Sequence, residues 1–481
     1  LFFLFFFYSL TVFSVNKNIE NDNLENDTLL DKNKYKWIIT NSNELTHKNE
    51  FYKNEIDSIF YMIAKNLENN GYPFSTIEFR YDSIKEKNIY GNIFIQNGSL
   101  TRIDSVTIKG YNKFPAYLIR RYLGIRINEK YNQKKIDEIS RKLEKNIFLK
   151  EYKKNSILFN KEKTILFFYL EKKYNNSIDG FLGINNNQGK TSLNGKINLT
   201  LSNALNMWES INIKWNKLTE KSQQLSLNCD FPFFLNSTFL LNTKINILQY
   251  ENSYISKDLT SSLMIKKENN FFKLGYLHKR SHALNNPSNS LIQDYKKNLI
   301  ILNWTNKKSI SFLNEINYVF SKEYSLGYNK ISSEHNIRQQ IGLSLKCDFP
   351  LFENNFIYLN SNNILLIGEN ILDNEKIGVG GISQIRGFLE NSFFSKSIYI
   401  LNMENKYFFN TQQTSPNKSY FSVFYDYAKL YDLNTQLESF GLGIGIDMKN
   451  DVFLINYAIP KYNKTIQINN SKIHFNYILK F

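Results

Sequence analysis

Over the last eleven residues apolar and polar side chains alternate almost without a break. Ile473, Phe475, Tyr477, Leu479 and Phe481 share one face; Lys472, His474, Asn476 and Lys480 share the other, and only Ile478 interrupts the polar row. A period of two is the signature of a strand whose two faces meet different surroundings. From about Ser177 onward there are sixteen runs of strand character, separated by polar breaks such as Asn185–Gly189, Asn285–Asn289 and Thr414–Lys418. Roughly 305 residues give about 19 per strand and connection, enough for tilted strands of ~9–11 residues that cross a bilayer. Residues 175–481 are therefore predicted to form a transmembrane β-barrel of about 16 antiparallel strands.

The same parity assigns inner faces. In 398–409, Tyr399, Leu401, Met403, Tyr407 and Phe409 take the lipid side and Asn402, Glu404 and Lys406 the lumen. In 420–429, Phe421, Val423, Tyr425 and Tyr427 face out, leaving Ser422, Phe424, Asp426 and Ala428 inside. In 439–447, Phe440, Leu442, Ile444 and Ile446 face out; Gly441, Gly443, Gly445 and Asp447 face in, a glycine row that leaves space for another segment. The long connection 370–394 is the candidate occupant, with Gly378, Gly380, Gly381 and Gly387 for tight turns around Ile385, Arg386 and Phe388. An unpaired arginine in the pore would cost several kcal/mol, so Arg386 is expected to pair with at least one of Asp426, Glu404 and Asp447.

The chain before the barrel follows other rules. Residues 1–14 are apolar and end in small residues, the pattern of an export signal without its basic start or initiator Met. Residues 15–50 are polar and read as a mobile leader. From Glu55 a helical stripe runs through Ile56, Ile59, Phe60, Ile63 and Leu67 and stops at Asn70-Gly71. Strand-like runs follow at Thr76–Tyr81 and Asn88–Ile95. A second unit reads strand (Ile103–Lys109), helix (Pro115 to about Leu123), helix (from Asn132, with Ile136, Ile139, Leu143 and Ile147 on one face), then strands near Ser156–Phe159 and Thr164–Glu171. Neither helix can bury its stripe alone, so both must cover one face of a small sheet. Units are expected at 51–100 and 101–174.

Composition changes the picture little. Only 42% of residues are hydrophobic and mean hydropathy is −0.41, but a barrel hides its membrane character in alternation. The net charge of +16 invites a nucleic-acid reading. The chain is equally crowded with Asn, Ile, Phe and Tyr, the residues of A/T-rich codons, and has no nucleic-acid-binding motif. Cys229 and Cys347 sit in a repeated phrase, Leu225-Ser-Leu-Asn-Cys-Asp-Phe-Pro232 and Leu343-Ser-Leu-Lys-Cys-Asp-Phe-Pro350. Both thiols are predicted to face lipid, without a disulfide. The five histidines form no ligand cluster, and Gly441-x-Gly-x-Gly445 lies inside a strand where no phosphate loop can form. No metal or cofactor is expected, and no esterase elbow of the membrane-lipase kind is present.

Three phrases carry a resemblance. Gly71-Tyr-Pro-Phe74, Ile103–Gly110 and Asn132…Leu143…Phe148 resemble a POTRA domain, well over 102–173 and less completely over 50–100. Gly380-Gly381…Ile385-Arg386-Gly387-Phe388 resembles the lumen-loop signature of the BamA/TamA-type barrel-assembly superfamily, which includes two-partner secretion transporters. Ser422–Ala428 resembles its second signature, whose Asp meets the loop Arg. Ser439–Gly445 and Asn456–Pro460 resemble the strands that follow. The sequence departs from the pattern at Ala428, where Gly is usual, and in a last strand that lacks Gly.

The resemblance implies an outer-membrane insertase that folds client β-barrels, with POTRA domains in the periplasm. Its partners would be client proteins, outer-membrane lipids and periplasmic or lipoprotein accessory subunits, and it would catalyse no reaction. A strand-end signal at Phe475, Tyr477, Leu479 and Phe481 would address the barrel to the membrane. At most two POTRA units precede the barrel, where the main assembly protein carries five, which implies a reduced or auxiliary member. The alternatives are a pore that exports a dedicated protein partner, and a barrel whose inherited features are idle.

Overall fold

The structure, a computed structural model, describes residues 36–39, 50–85, 88–144, 146, 148–160, 163–187, 190–217, 222–284, 291–310, 316–352, 354–409, 419–448 and 451–480. The expected signal 1–14, the breaks 285–289 and 414–418, Ile147 and Phe481 lie outside them. The chain divides into two compact units after Lys173.

The first unit holds two small α+β layers. Helix α1 (Lys53–Asn69) packs Ile59, Phe60 and Ile63 onto Ile77, Phe79 and Ile93 of a four-stranded sheet. Its strands lie in the order Glu50–Tyr52, Lys36–Ile39, Asn88–Gln96, Thr76–Lys85. Part of the expected leader is therefore structured: Lys36–Ile39 pairs in parallel with Asn88–Gly91. Four residues are too few to show a period, and the ladder of a neighbour 52 residues away supplies what the sequence pattern lacks. Gly71 ends α1 with φ 98°, while the amide of Tyr72 donates to the carbonyl of Leu67.

The second layer has the expected β-α-α-β-β order: Ser105–Lys109, α2 (Ala116–Leu123), α3 (Gln133–Glu144), Leu149–Phe159 and Thr164–Lys172. The last strand is central, parallel to the first and antiparallel to the one before it. Leu118, Ile119 and Leu123 of α2, Ile136, Ile139 and Leu143 of α3, and Leu166, Phe168 and Leu170 of the central strand are all buried. Pro115 sits one position before the helix, as its cap, and Gly124 closes α2 in the left-handed region.

The second unit is a closed barrel of sixteen long antiparallel strands, with a two-residue strand, Thr465–Ile466, in its final turn. The first is Ser177–Asn187 and the sixteenth Lys472–Lys480. Parity holds around the wall. Val423, Leu442, Ile444 and Tyr407 are exposed outward, whereas Ser422, Phe424, Asp426 and Ala428 are buried inside. Both cysteines are free thiols; Cys347 is in register with Tyr318 and Leu359 on the outer face.

The ladder is unequal. Among the described residues, adjacent long strands pair over seven to sixteen residues, but the first and last meet only at Ser177–Asp179 with Ile478–Lys480. Gly180, the next residue of the first strand, has φ 145°, and a Cβ there would lie 1.9 Å from the Lys196 carbonyl oxygen.

Candidate functional site

The connection between the eleventh strand (Asn355–Ile367) and the twelfth (Ser397–Phe408), residues 368–396, turns back onto the inner wall. An apolar cushion seats it: Val379 and Ile385 of the loop join Ile398, Ile400, Ala428, Leu430 and Leu437 of the wall. Phe388 and Phe393 pack at the edge of this cluster, 5.8 Å apart in an edge-on contact. The loop's own turn is closed by Gly381, whose amide donates to the Phe388 carbonyl and whose carbonyl accepts from Ile385. Gly380 and Gly381 have φ 126° and 88°, and a Cβ on either would collide with the Leu389 carbonyl or the Glu390 carboxylate. Gln384 ties the turn to the wall: its side chain accepts from the Gly380 amide, and its carbonyl accepts from Asn402 Nδ2 at 2.7 Å.

Arg386 is held by a fork. Its Nε and one terminal nitrogen donate to the two oxygens of Asp426 at 2.8 and 2.7 Å, and its backbone amide donates to the same carboxylate at 3.0 Å. The other terminal nitrogen reaches Glu404 at 3.3 Å, and the guanidinium lies 3.5 Å from the centre of the Phe424 ring. Asp426 is fully buried, so this carboxylate has exchanged water for three N–H donors. Asp426 lies between Asn402 and Ser439 in register on the twelfth, thirteenth (Tyr420–Leu430) and fourteenth (Thr435–Met448) strands.

Two expectations about this wall are corrected. Asp447 is not a partner of Arg386. It lies eight residues beyond Ser439 on the fourteenth strand, about 26 Å at the rise of a strand, and its amide donates to Ser419 instead. The glycine row does not make room for the loop directly. A Cβ at Gly441 would lie 2.6 Å from the Phe424 ring and one at Gly445 2.3 Å from Tyr420. Gly441 and Gly445 admit wall aromatics, Gly443 admits Asn456 and Ser422, and one of the aromatics, Phe424, forms the floor under Arg386.

Gly387 connects the motif to the closing strand. Its amide donates to Nε2 of His474 at 3.1 Å, which requires that nitrogen to carry a lone pair and so fixes the neutral Nδ1–H form of the ring. With φ 85°, Gly387 adopts a backbone that side chains disfavour, and a Cβ there would come within a tight 3.3 Å of Pro460 and Ser439. The outward members of the last strand are ordinary lipid-facing positions. Phe475 is exposed and meets Phe453 edge-on at 4.6 Å, and Tyr477 meets the same ring at 6.4 Å. Leu479 belongs to the three-residue seam.

A second anchor was absent from the sequence reading. Near the start of the loop, the Glu375 carboxylate accepts two bonds from Arg338 at 2.9 Å each, with Lys297 at 3.8 Å. The Arg338 and Glu375 side chains are wholly buried. The adjoining Asn374 donates to Ser281 and to the Gln293 carbonyl, and its own carbonyl accepts from Tyr295. Burial alone would raise the Glu375 carboxyl, but the Arg338 bonds and the charges of Lys297 and Arg338 outweigh it and hold it below its ordinary value. The available signal was parity. Ile337, Ile341 and Leu343 are exposed outward, so Arg338 between them had to face in. No group of side chains able to hold a metal occurs among the described residues.

Residues 101–179 match the POTRA family, described as a surface antigen variable number repeat. No curated protein sequence matches the chain. The fold is similar to that of BamA from Haemophilus ducreyi lacking POTRA domains 1–3, at 15% identity and TM-score 0.58 over 92% of this chain and 98% of that one. It is similar also to CdiB from Escherichia coli (11% identity, TM-score 0.55, 96% and 93% covered) and CdiB from Acinetobacter baumannii (15%, 0.53, 89% and 82%).

Proposed function

We propose that this chain, a POTRA domain joined to a sixteen-stranded barrel with the fold of BamA and CdiB, is an outer-membrane factor that helps client β-barrel proteins fold and insert. The observation that supports this reading best is the seam. A ladder of three residue pairs leaves Lys472–Tyr477 of the last strand without register partners on the first strand, among the described residues. Backbone N–H and C=O groups on such an edge are a template for an incoming strand. The Gly387–His474 bond ties this strand to the lumen loop from within, so the Arg386 motif and the seam form one mechanical unit. The protein would catalyse no reaction; it would lower the barrier for strands to enter the membrane already paired. Depleting it while following other outer-membrane barrels tests the proposal, and undiminished levels and folding of every client would sink it.

A second reading, a pore that exports a dedicated partner, is supported by the likeness of the fold to CdiB, a two-partner secretion transporter. Wide single-channel conductance together with loss of one secreted protein on depletion would select it.

A further inference from the structure

The repeated phrase ending in Cys-Asp-Phe-Pro has no part in the loop or the seam, yet the fold places its two copies alike. One ends the fourth barrel strand (Gln223–Phe231), the other the tenth (Glu334–Phe352). Both strands run in the same direction, so both phrases end at the rim where the chain enters and leaves the barrel. In each, Cys and Phe lie on the lipid-facing parity and Asp on the lumen side; Asp230 accepts a bond from Asn242 at 2.7 Å. Proline then disrupts the ladder. Pro232 follows the last paired residue of the fourth strand, and the register of the tenth shifts between Pro350 and Phe352.

Apolar side chains follow each proline and stand out from the rim. Leu235 is 84% exposed and Phe352 73%, with Phe239 and Leu351 also exposed. The first copy is not a loose end. Phe233, Leu235 and Asn236 are all left-handed, with φ 57°, 51° and 57°, a conformation that bulky residues rarely adopt. Phe233 packs on the buried ring of Trp208, 5.6 Å away, from the neighbouring turn 203–209. There the buried Glu209 carboxylate accepts the amides of Leu205 and Met207, whose side chains are exposed as well. The backbone is thus held so that apolar groups point away from the protein, where water alone would oppose it.

We propose that the two Cys-Asp-Phe-Pro strand ends, with the turn 203–209, are lipid-interface anchors that seat this rim in the headgroup region of the bilayer. The occupant follows from continuity: the outer parity of the same strands already faces lipid, and the exposed residues prolong that surface at the rim, Leu235 and Phe239 beyond the last ladder pair of the fourth strand and Phe352 in the last pair of the tenth, past its register shift. Apolar and aromatic groups with a polar backbone beside them suit this depth. The inference rests on the barrel fold and is independent of the insertion reading.

The test uses the full chain with Cys229→Ala and Cys347→Ala, reconstituted in phosphatidylethanolamine–phosphatidylglycerol vesicles. Single cysteines are introduced as Leu235→Cys, Phe352→Cys and Glu268→Cys, the last in a polar turn of the same rim, and carry an environment-sensitive fluorophore. Heat-modifiable gel migration verifies that each barrel is folded. Blue-shifted emission at 235 and 352, quenched by lipids bearing a nitroxide near the headgroup, with neither effect at 268, is the expected result. Three results would overturn the proposal. They are emission at 235 and 352 as water-exposed as at 268, a blue shift that the lipid nitroxides do not quench (a protein contact), and lipid quenching at one copy only.

Discussion

The lumen loop is fastened at two places by the same chemistry with the polarity reversed. At its tip the loop contributes the cation, Arg386, and the wall of the twelfth and thirteenth strands contributes Glu404 and Asp426. Near its start the loop contributes the anion, Glu375, and the wall of the eighth and tenth strands contributes Lys297 and Arg338. The tip anchor is built around glycines and a cushion of aliphatic side chains, with a direct bond to the closing strand. The other anchor is ringed by Ser281, Tyr295 and Asn374 and, among the described residues, has no such connection. Two charge pairs of opposite sense on different parts of the wall fix both position and direction of the loop. A loop with one anchor could pivot.

Removing Glu375 should have the largest effect. Glu375→Ala leaves Arg338 and Lys297 buried without their carboxylate, and loss of one partner of a buried pair costs about 3–5 kcal/mol. Urea unfolding in vesicles, followed by heat-modifiable migration, should show the largest loss of stability, with new proteolysis near residue 375. Wild-type behaviour would mean that the second anchor holds nothing. Arg386→Ala should cost about 3 kcal/mol, slightly less because the Arg386 amide can still satisfy Asp426. Asp426→Asn should produce a similar, smaller defect. Both are read as protease sensitivity of the loop and loss of activity, and full retention of both properties would refute the pairing.

Acid should release the second anchor. The folded Glu375 carboxyl lies below its ordinary range, so its contribution is complete above the unfolded value and is lost as pH falls through the folded one. Proteolysis near residue 375 should therefore appear only below the usual glutamate range, and Glu375→Gln should abolish this pH dependence. Gly387→Ala tests the path to the closing strand. The left-handed backbone and the 3.3 Å approach of the new Cβ to Pro460 and Ser439 predict a loss of about 1–2 kcal/mol, measured by the same unfolding assay. Glu404→Gln should be mildest, below about 1 kcal/mol, because its contact with Arg386 is longer and partly solvated. A defect as large as that of Asp426→Asn would show that the Arg386 fork depends on both acids equally.

Alternation determined much of this protein without a structure. A polar–apolar period of two requires strands with a wet face and a lipid face, and enough of them must close on themselves because a bilayer tolerates no open edge. The inward placement of Glu404, Asp426, His474 and the glycine row follows from that parity alone. So does the tip anchor, since an arginine among glycines in a long connection must find a carboxylate on the inner wall.

Parity gives a face but not a height, so by itself it left the carboxylate open between Asp426 and Asp447. The family resemblance pointed to Asp426, and register decided it by separating the two by some eight residues of strand. Only the tertiary structure decided that Lys36–Ile39 is a strand, that Phe424 rather than the loop covers Gly441, and that Glu375, in a polar run resembling a surface turn, is buried against Arg338. The three-residue seam belongs with these. Pairing between the first and last strands is a contact across the whole length of the barrel, and no local pattern in either strand records how far it extends.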